Sequence, residues 1–112
     1  MTVQQVRRFG FAYEVRPDGR EEYLRLHREV WPGVEAALRE HGIRNFSIFV
    51  IEHTLFGYYE FVGDDYEAAM ARIDSDPTSR RWAELTHPLQ LRFGGGEDGP
   101  LWREMELAWH MD

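Results

Sequence analysis

Residues 45–62 read NFSIFVIEHTLFGYYEFV, from Asn45 to Val62. The pattern predicts two strands, Asn45 to Ile51 and Thr54 to Val62, with Glu52-His53 as the tight turn between them. Both strands are apolar on both faces. Phe46, Ile48 and Val50 stand against Phe49 and Ile51; Leu55, Tyr59 and Phe61 stand against Phe56, Tyr58 and Val62. An antiparallel hairpin with one wet face alternates more cleanly. Both faces of this sheet are therefore expected to be covered.

Working outward from the hairpin, Arg8 to Val15 shows the same period of two. Phe9, Phe11, Tyr13 and Val15 share one face, and Gly10, Ala12 and Glu14 the other, which predicts a strand. Pro17-Asp18-Gly19 turns the chain. Asp18 with Glu21 resembles a capping box, and Tyr23, His27, Val30, Val34 and Leu38 follow at helical spacing. Gly42 suits the end of that helix, with Arg39 and His41 in its last turn. Pro32 lies inside the run and predicts a kink near Trp31-Pro32.

Beyond the hairpin, Asp64 with Glu67 predicts the cap of a second helix running through Ile73. Asp76-Pro77 restarts a short helix carrying Trp82 and Leu85, which Pro88 stops. Gly94-Gly95-Gly96 and Gly99-Pro100 read as a loop, and Leu101 to Trp109 as the last strand. The order β-α-β-β-α-β predicts an α+β fold of the ferredoxin-like, split βαβ kind, with an antiparallel sheet. Two helices cover one sheet face. A second copy related by a two-fold axis is the expected cover for the other, making a dimeric α+β barrel.

The chain has 112 residues, a formal net charge of −7, 43% hydrophobic residues and 14% aromatic residues. That length predicts one domain spanning 1–112. The acidic balance argues against nucleic acid, whose phosphates require a basic footprint. With no cysteine, thiol nucleophiles, disulfides and zinc-thiolate sites drop out. No apolar run reaches the roughly 20 residues of a membrane span, and Met1 to Arg8 lacks a signal peptide's apolar stretch. A cytoplasmic protein is expected, with no membrane partner.

Chemistry-bearing motifs are few. The triple glycine leads into a strand and lacks a following Lys-Ser/Thr, so no phosphate loop is read. His27, His41, His53, His87 and His110 show no ligand spacing on one helix, so no metal site is expected. Tyr23, His27 and Trp31 are spaced four residues apart. Each such step advances about 40° around a helix, so the three share one face. The stripe has two readings. It is either the packing face of a helix on a sheet, with His27 satisfied by its neighbours, or the lining of a sugar site. In the second case rings pack on C–H faces while OH and N–H groups address hydroxyls. His27 is its polar centre, and histidine is the side chain whose unperturbed pKa suits acid–base work near neutral pH. Trp82 is either a pocket wall or a lid over the core. Trp102 and Trp109 fall on opposite faces of the last strand and read as core or dimer packing. Arg80-Arg81 meets either an anion or solvent.

These residues resemble the L-rhamnose mutarotase family. The likeness is carried by Phe11-Ala12-Tyr13-Glu14-Val15, by Glu22 to Pro32 with its Tyr-x-x-x-His-x-x-x-Trp-Pro block, by His41 to Ile48, by Arg81-Trp82 and by Ala108 to Asp112. The resemblance implies a dimeric barrel that interconverts the α and β anomers of L-rhamnose, or of a related 6-deoxy sugar, without metal or cofactor. It implies His27 as proton donor and Tyr23 and Trp82 as sugar-binding residues, with Phe46 and Ala83 at ligand-contact positions; Trp31 joins the expected sugar-binding set as the third ring of the stripe. At Phe46 the family commonly has Tyr, and at Ala83 a second Trp. Both differences fall on ligand-contact positions and bear on which sugar is taken. Two rival functions use the same barrel: a non-catalytic sugar or small-molecule binding module, and a cofactor-free monooxygenase or cyclase acting on a flat aromatic substrate.

Overall fold

The computed structural model describes residues 5–112. Strand β1 (Val6–Val15) lies at the heart of one antiparallel sheet. It pairs with β3 (Thr54–Val62) from Val6 opposite Val62 to Glu14 opposite Thr54. Strand β2 (Ile43–Ile51) borders β3 on the far side. Along its other edge β1 meets β4 (Gln90–Leu91) and then β5 (Arg103–Met105). The order β2-β3-β1-β4, with β5 beside β1, is the ferredoxin-like arrangement expected from the sequence.

The alternation read in Arg8 to Val15 is real. Phe9, Phe11, Tyr13 and Val15 are buried under the helices, with Leu55, Tyr59 and Phe61 of β3 beside them. Each such side chain contributes roughly 1.5–3 kcal/mol of transfer free energy when fully removed from water. The hairpin turn falls at Glu52-His53, and Glu52 takes the left-handed conformation that so short a connection requires (φ 53°). A bulge between Arg44 and Ser47, with Asn45 at φ 51°, inserts one extra residue into β2. Ile43 and Phe46 both consequently face the helical layer, where Phe46 meets Phe11 and Tyr59.

The predicted kinked helix is instead two helices, α1 (Arg20–Arg28) and α2 (Pro32–Glu40). Pro32 restricts the residue before it. Trp31 sits at φ −59°, ψ 132°, which is extended rather than helical, and Pro32 becomes the first residue of α2. The Asp18–Glu21 capping box is absent. Pro17–Gly19 forms a single 3₁₀ turn, and α1 starts after Gly19 with no side-chain cap. In α3 (Tyr66–Ser75) the cap is Asp65 rather than Asp64; its carboxylate accepts from Ala68 N–H at 3.0 Å. Helix α4 (Pro77–Thr86) starts as read, with Asp76 accepting from Ser79 N–H at 2.9 Å and Pro77 in the first turn.

The last strand is shorter than Leu101 to Trp109. Only Arg103–Met105 pairs with β1, and the two-residue β4 takes the other part of that edge. The glycine loop between them is tied at both ends: Gly94 N–H donates to Glu14 Oε2 and Arg92 Nε to Gly99 O, each at 2.8 Å. The sheet face away from the helices carries Phe49 (67% exposed), Ile51 (64%), Phe56 and Met105, and Trp109 is also exposed. Among the described residues no helix is long and apolar enough to cross a membrane.

Candidate active site

A cavity of about 190 Å³ opens between the helices and the inner sheet face. One water requires roughly 10–15 Å³ by the same measure, so the space matches on the order of a dozen heavy atoms. Tyr23 and His27 from α1, Phe46 from β2, and Trp82 and Ala83 from α4 line it. The break between α1 and α2 takes Trp31 off their stripe. Its indole lies outside the cavity and packs edge-on against Trp82, centroids 5.2 Å apart. Trp31 therefore buttresses a cavity wall instead of forming one.

His27 is half-buried one helical turn after Tyr23. The rings stack at 4.2 Å, and Nδ1–H donates to the Tyr23 carbonyl at 2.8 Å. This carbonyl only accepts, so it fixes the proton on Nδ1. Nε2 is left as the nitrogen available to the cavity. Desolvation lowers the His27 pKa below its ordinary 6.5, against the smaller opposing effect of the carbonyl bond. The ring is therefore neutral near pH 7, with a bare lone pair on Nε2.

Tyr23 is tied from below by Tyr13, whose side chain is fully buried. Burial raises both phenols. Tyr23 is pushed up to about 12, held back by the bond to Tyr13, whereas the same bond raises Tyr13 further. Both phenols are therefore protonated near neutral pH, and either hydroxyl can donate in the bond they share; in the arrangement where Tyr13 donates, the Tyr23 proton is left for another partner.

Sequence reasoning missed part of the lining. Trp102, read as packing, stacks on Phe11 at 4.4 Å and 13° and faces the cavity. Its Nε1–H donates to Gln90 Oε1 at 2.8 Å. Gln90 went unread because β4 is too short to show a period. Arg80, His87 and Thr86 also reach the wall. Arg80 is thus at the cavity, where the sequence left it between anion and solvent. Among the described residues no cluster of three metal-ligating side chains occurs.

Comparison with known proteins bears on this geometry. A model of the L-rhamnose mutarotase family matches residues 8–111. The chain belongs to the L-rhamnose mutarotase family. An L-rhamnose mutarotase of Oceanobacillus iheyensis is 32% identical over 109 residues, covering 96% of this chain and 100% of its own. One of Klebsiella pneumoniae is 35% identical over 106 residues, covering 93% and 97%. The fold agrees with a crystal structure of L-rhamnose mutarotase from Formosa agariphila, with a TM-score of 0.72, 20% identity, and 95% of this chain and 99% of that one covered.

Proposed function

We propose that this mutarotase-family chain interconverts the α and β anomers of L-rhamnose or a closely related 6-deoxy sugar, with His27 moving the proton. The observation that carries the reading is a neutral imidazole whose Nδ1 is locked and whose Nε2 meets a cavity walled by aromatic rings. Family membership supports the reaction class. Trp82, Trp102 and Phe46 supply apolar faces for the C–H surfaces and methyl group of such a sugar.

The steps balance without a covalent intermediate. Nε2 accepts the proton of the anomeric hydroxyl. The C1–ring oxygen bond then breaks, leaving an aldehyde and an alkoxide. The imidazolium returns its proton to that alkoxide, the former ring oxygen. Both oxygens hang on C1, so one nitrogen serves both. After rotation about C1–C2 the sequence runs backwards on the other carbonyl face. His27 thus enters as a base and becomes the donor that the resemblance implies. With Tyr13 donating to Tyr23, the Tyr23 hydroxyl stabilises negative charge as it appears on oxygen. General acid–base help of this kind is worth roughly 10²–10⁴-fold.

Phe46 and Ala83 shape sugar choice in this reading, through a missing hydroxyl and extra room. The enzyme works as a homodimer in the cytoplasm. The apolar outer face, with Phe49, Ile51 and Phe56 in water in the single chain, supports a second copy packing there.

The test is NMR exchange between the anomeric protons of L-rhamnose, with L-fucose and other 6-deoxy sugars alongside. Exchange accelerated by the wild type and lost in His27→Ala is expected. Equal acceleration by both proteins removes His27 from the reaction. No acceleration of any sugar by the wild type removes the reaction itself.

A further inference from the structure

We infer that Gln90, held by Trp102, is a hydrogen-bond donor to a non-anomeric oxygen of the sugar and helps set which sugars fit; this rests on the mutarotase reading. Gln90 sits opposite Val15 on β1 and points inward, only 7% exposed, into the cavity wall. Indole Nε1–H is a donor and never an acceptor. The end of the Gln90 amide facing Trp102 at 2.8 Å is therefore the oxygen. The NH₂ end points elsewhere. It bonds to no protein group among the described residues, and it is not sealed from solvent, as the Nε of Arg8 and the Oγ of Ser79 are. For a side chain this buried, the cavity is the space left to it. Buried polar groups are nearly always paired, and an oxygen-rich ligand supplies acceptors.

The donor is also preorganised. Trp102 lies flat on Phe11, and Phe11 lies over Gly57, where a Cβ would fall 2.1 Å from its Cζ. Phe11 cannot retreat from Trp102 into the sheet. Trp102 in turn stops the amide from flipping to present its oxygen. Gln90 is a specificity residue, and Trp102 positions it.

The experiment measures anomer exchange for L-rhamnose and its monodeoxy analogues with wild type, Gln90→Met and Trp102→Phe, each checked for folding by circular dichroism. Gln90→Met keeps length and removes the donor. Trp102→Phe keeps a ring on Phe11 and frees the amide. For L-rhamnose, Gln90→Met is expected to raise KM roughly 3- to 10-fold, the size of one neutral hydrogen bond, with the loss carried by KM rather than kcat. Trp102→Phe is expected to move KM in the same direction by less. One monodeoxy sugar, lacking the oxygen addressed, is expected to show the same KM with wild type and Gln90→Met. An active wild type with an unchanged L-rhamnose KM in folded Gln90→Met overturns the inference alone. So does a rise equal for every analogue, the signature of a purely structural role. A wild type inactive on L-rhamnose overturns the mutarotase reading and this inference with it.

Discussion

Gly57→Ala is the sharpest probe of how the sheet shapes the cavity. A Cβ at Gly57 lies 2.1, 2.3 and 2.8 Å from Phe11 Cζ, Cε2 and Cε1. Ordinary contact needs more than 3 Å, so the ring must move by roughly an ångström. Gly57 is not at positive φ, so the backbone accepts alanine and the whole cost is steric. Trp102 blocks the ring at 4.4 Å, with Tyr13, Tyr59 and Phe46 around it. With the ring hemmed in, the cost lies in the upper part of the roughly 1–3 kcal/mol that overpacking takes, and about 1–2.5 kcal/mol remains after the ~0.4–1 kcal/mol from a less flexible unfolded chain. At about 4–8 °C per kcal/mol, Tm is expected to fall by roughly 5–15 °C in thermal denaturation followed by circular dichroism. Leucine lacks all three of the clashing ring atoms. Phe11→Leu should therefore make Gly57→Ala cheap, and the double variant should lose at least about 1 kcal/mol less than the sum of the singles. A Gly57→Ala protein melting within about 2 °C of wild type, or strict additivity with Phe11→Leu, refutes the packing argument.

Because His27 is neutral in the folded state with its pKa below 6.5, the acid limb of kcat/KM is expected to bend below pH 6.5 and the profile to be flat above pH 7. A limb centred above 6.5 contradicts that environment. The same depression makes the unfolded chain take the proton first. Its stabilising contribution is full above pH 6.5 and falls as pH drops from 6.5 to the folded pKa; His27→Asn should lack this part of the acid loss in urea titrations from pH 7.5 to 4.5. Asp76→Ala should cost about 1 kcal/mol by removing the cap on Ser79, whereas Asp18→Ala should leave denaturant midpoints nearly unchanged, since it caps nothing. Phe49→Glu on the open face should convert a dimer to a monomer in light scattering; a wild type already monomeric at micromolar concentration removes the paired-sheet reading.

The hairpin was legible because β-rich runs, a two-residue turn and period two all agree there, and nothing distant competes. Asp76-Pro77 was legible for the same local reason. The break at Trp31 was not. A proline within a helical pattern signals either a kink or a fresh start, and only the extended Trp31 backbone decides between them. That choice moved Trp31 out of the stripe while leaving Tyr23 and His27 stacked. Around the cavity, Phe46 shares its face with Ile48 as the alternation indicates, whereas Ile43 faces the same layer only because of the bulge at Asn45, which no periodicity reveals. Trp102 was ambiguous because strand parity gives a face but not a neighbour. Its neighbour is settled by Phe11 lying across a glycine far away in the sequence.

The contact between Phe11 and Trp102 joins the first strand to the residue just ahead of the last. During synthesis, the ribosome must therefore deliver nearly all of these residues before the cavity has its far wall. A nascent chain stalled just after α4 owns its imidazole, both phenols, Phe46 and Trp82, yet lacks the wall that Gln90 and Trp102 supply. Ligand binding thus reports that the chain through Trp102 is in place, and an added sugar should stabilise folding variants that include it far more than chains cut short before Trp102.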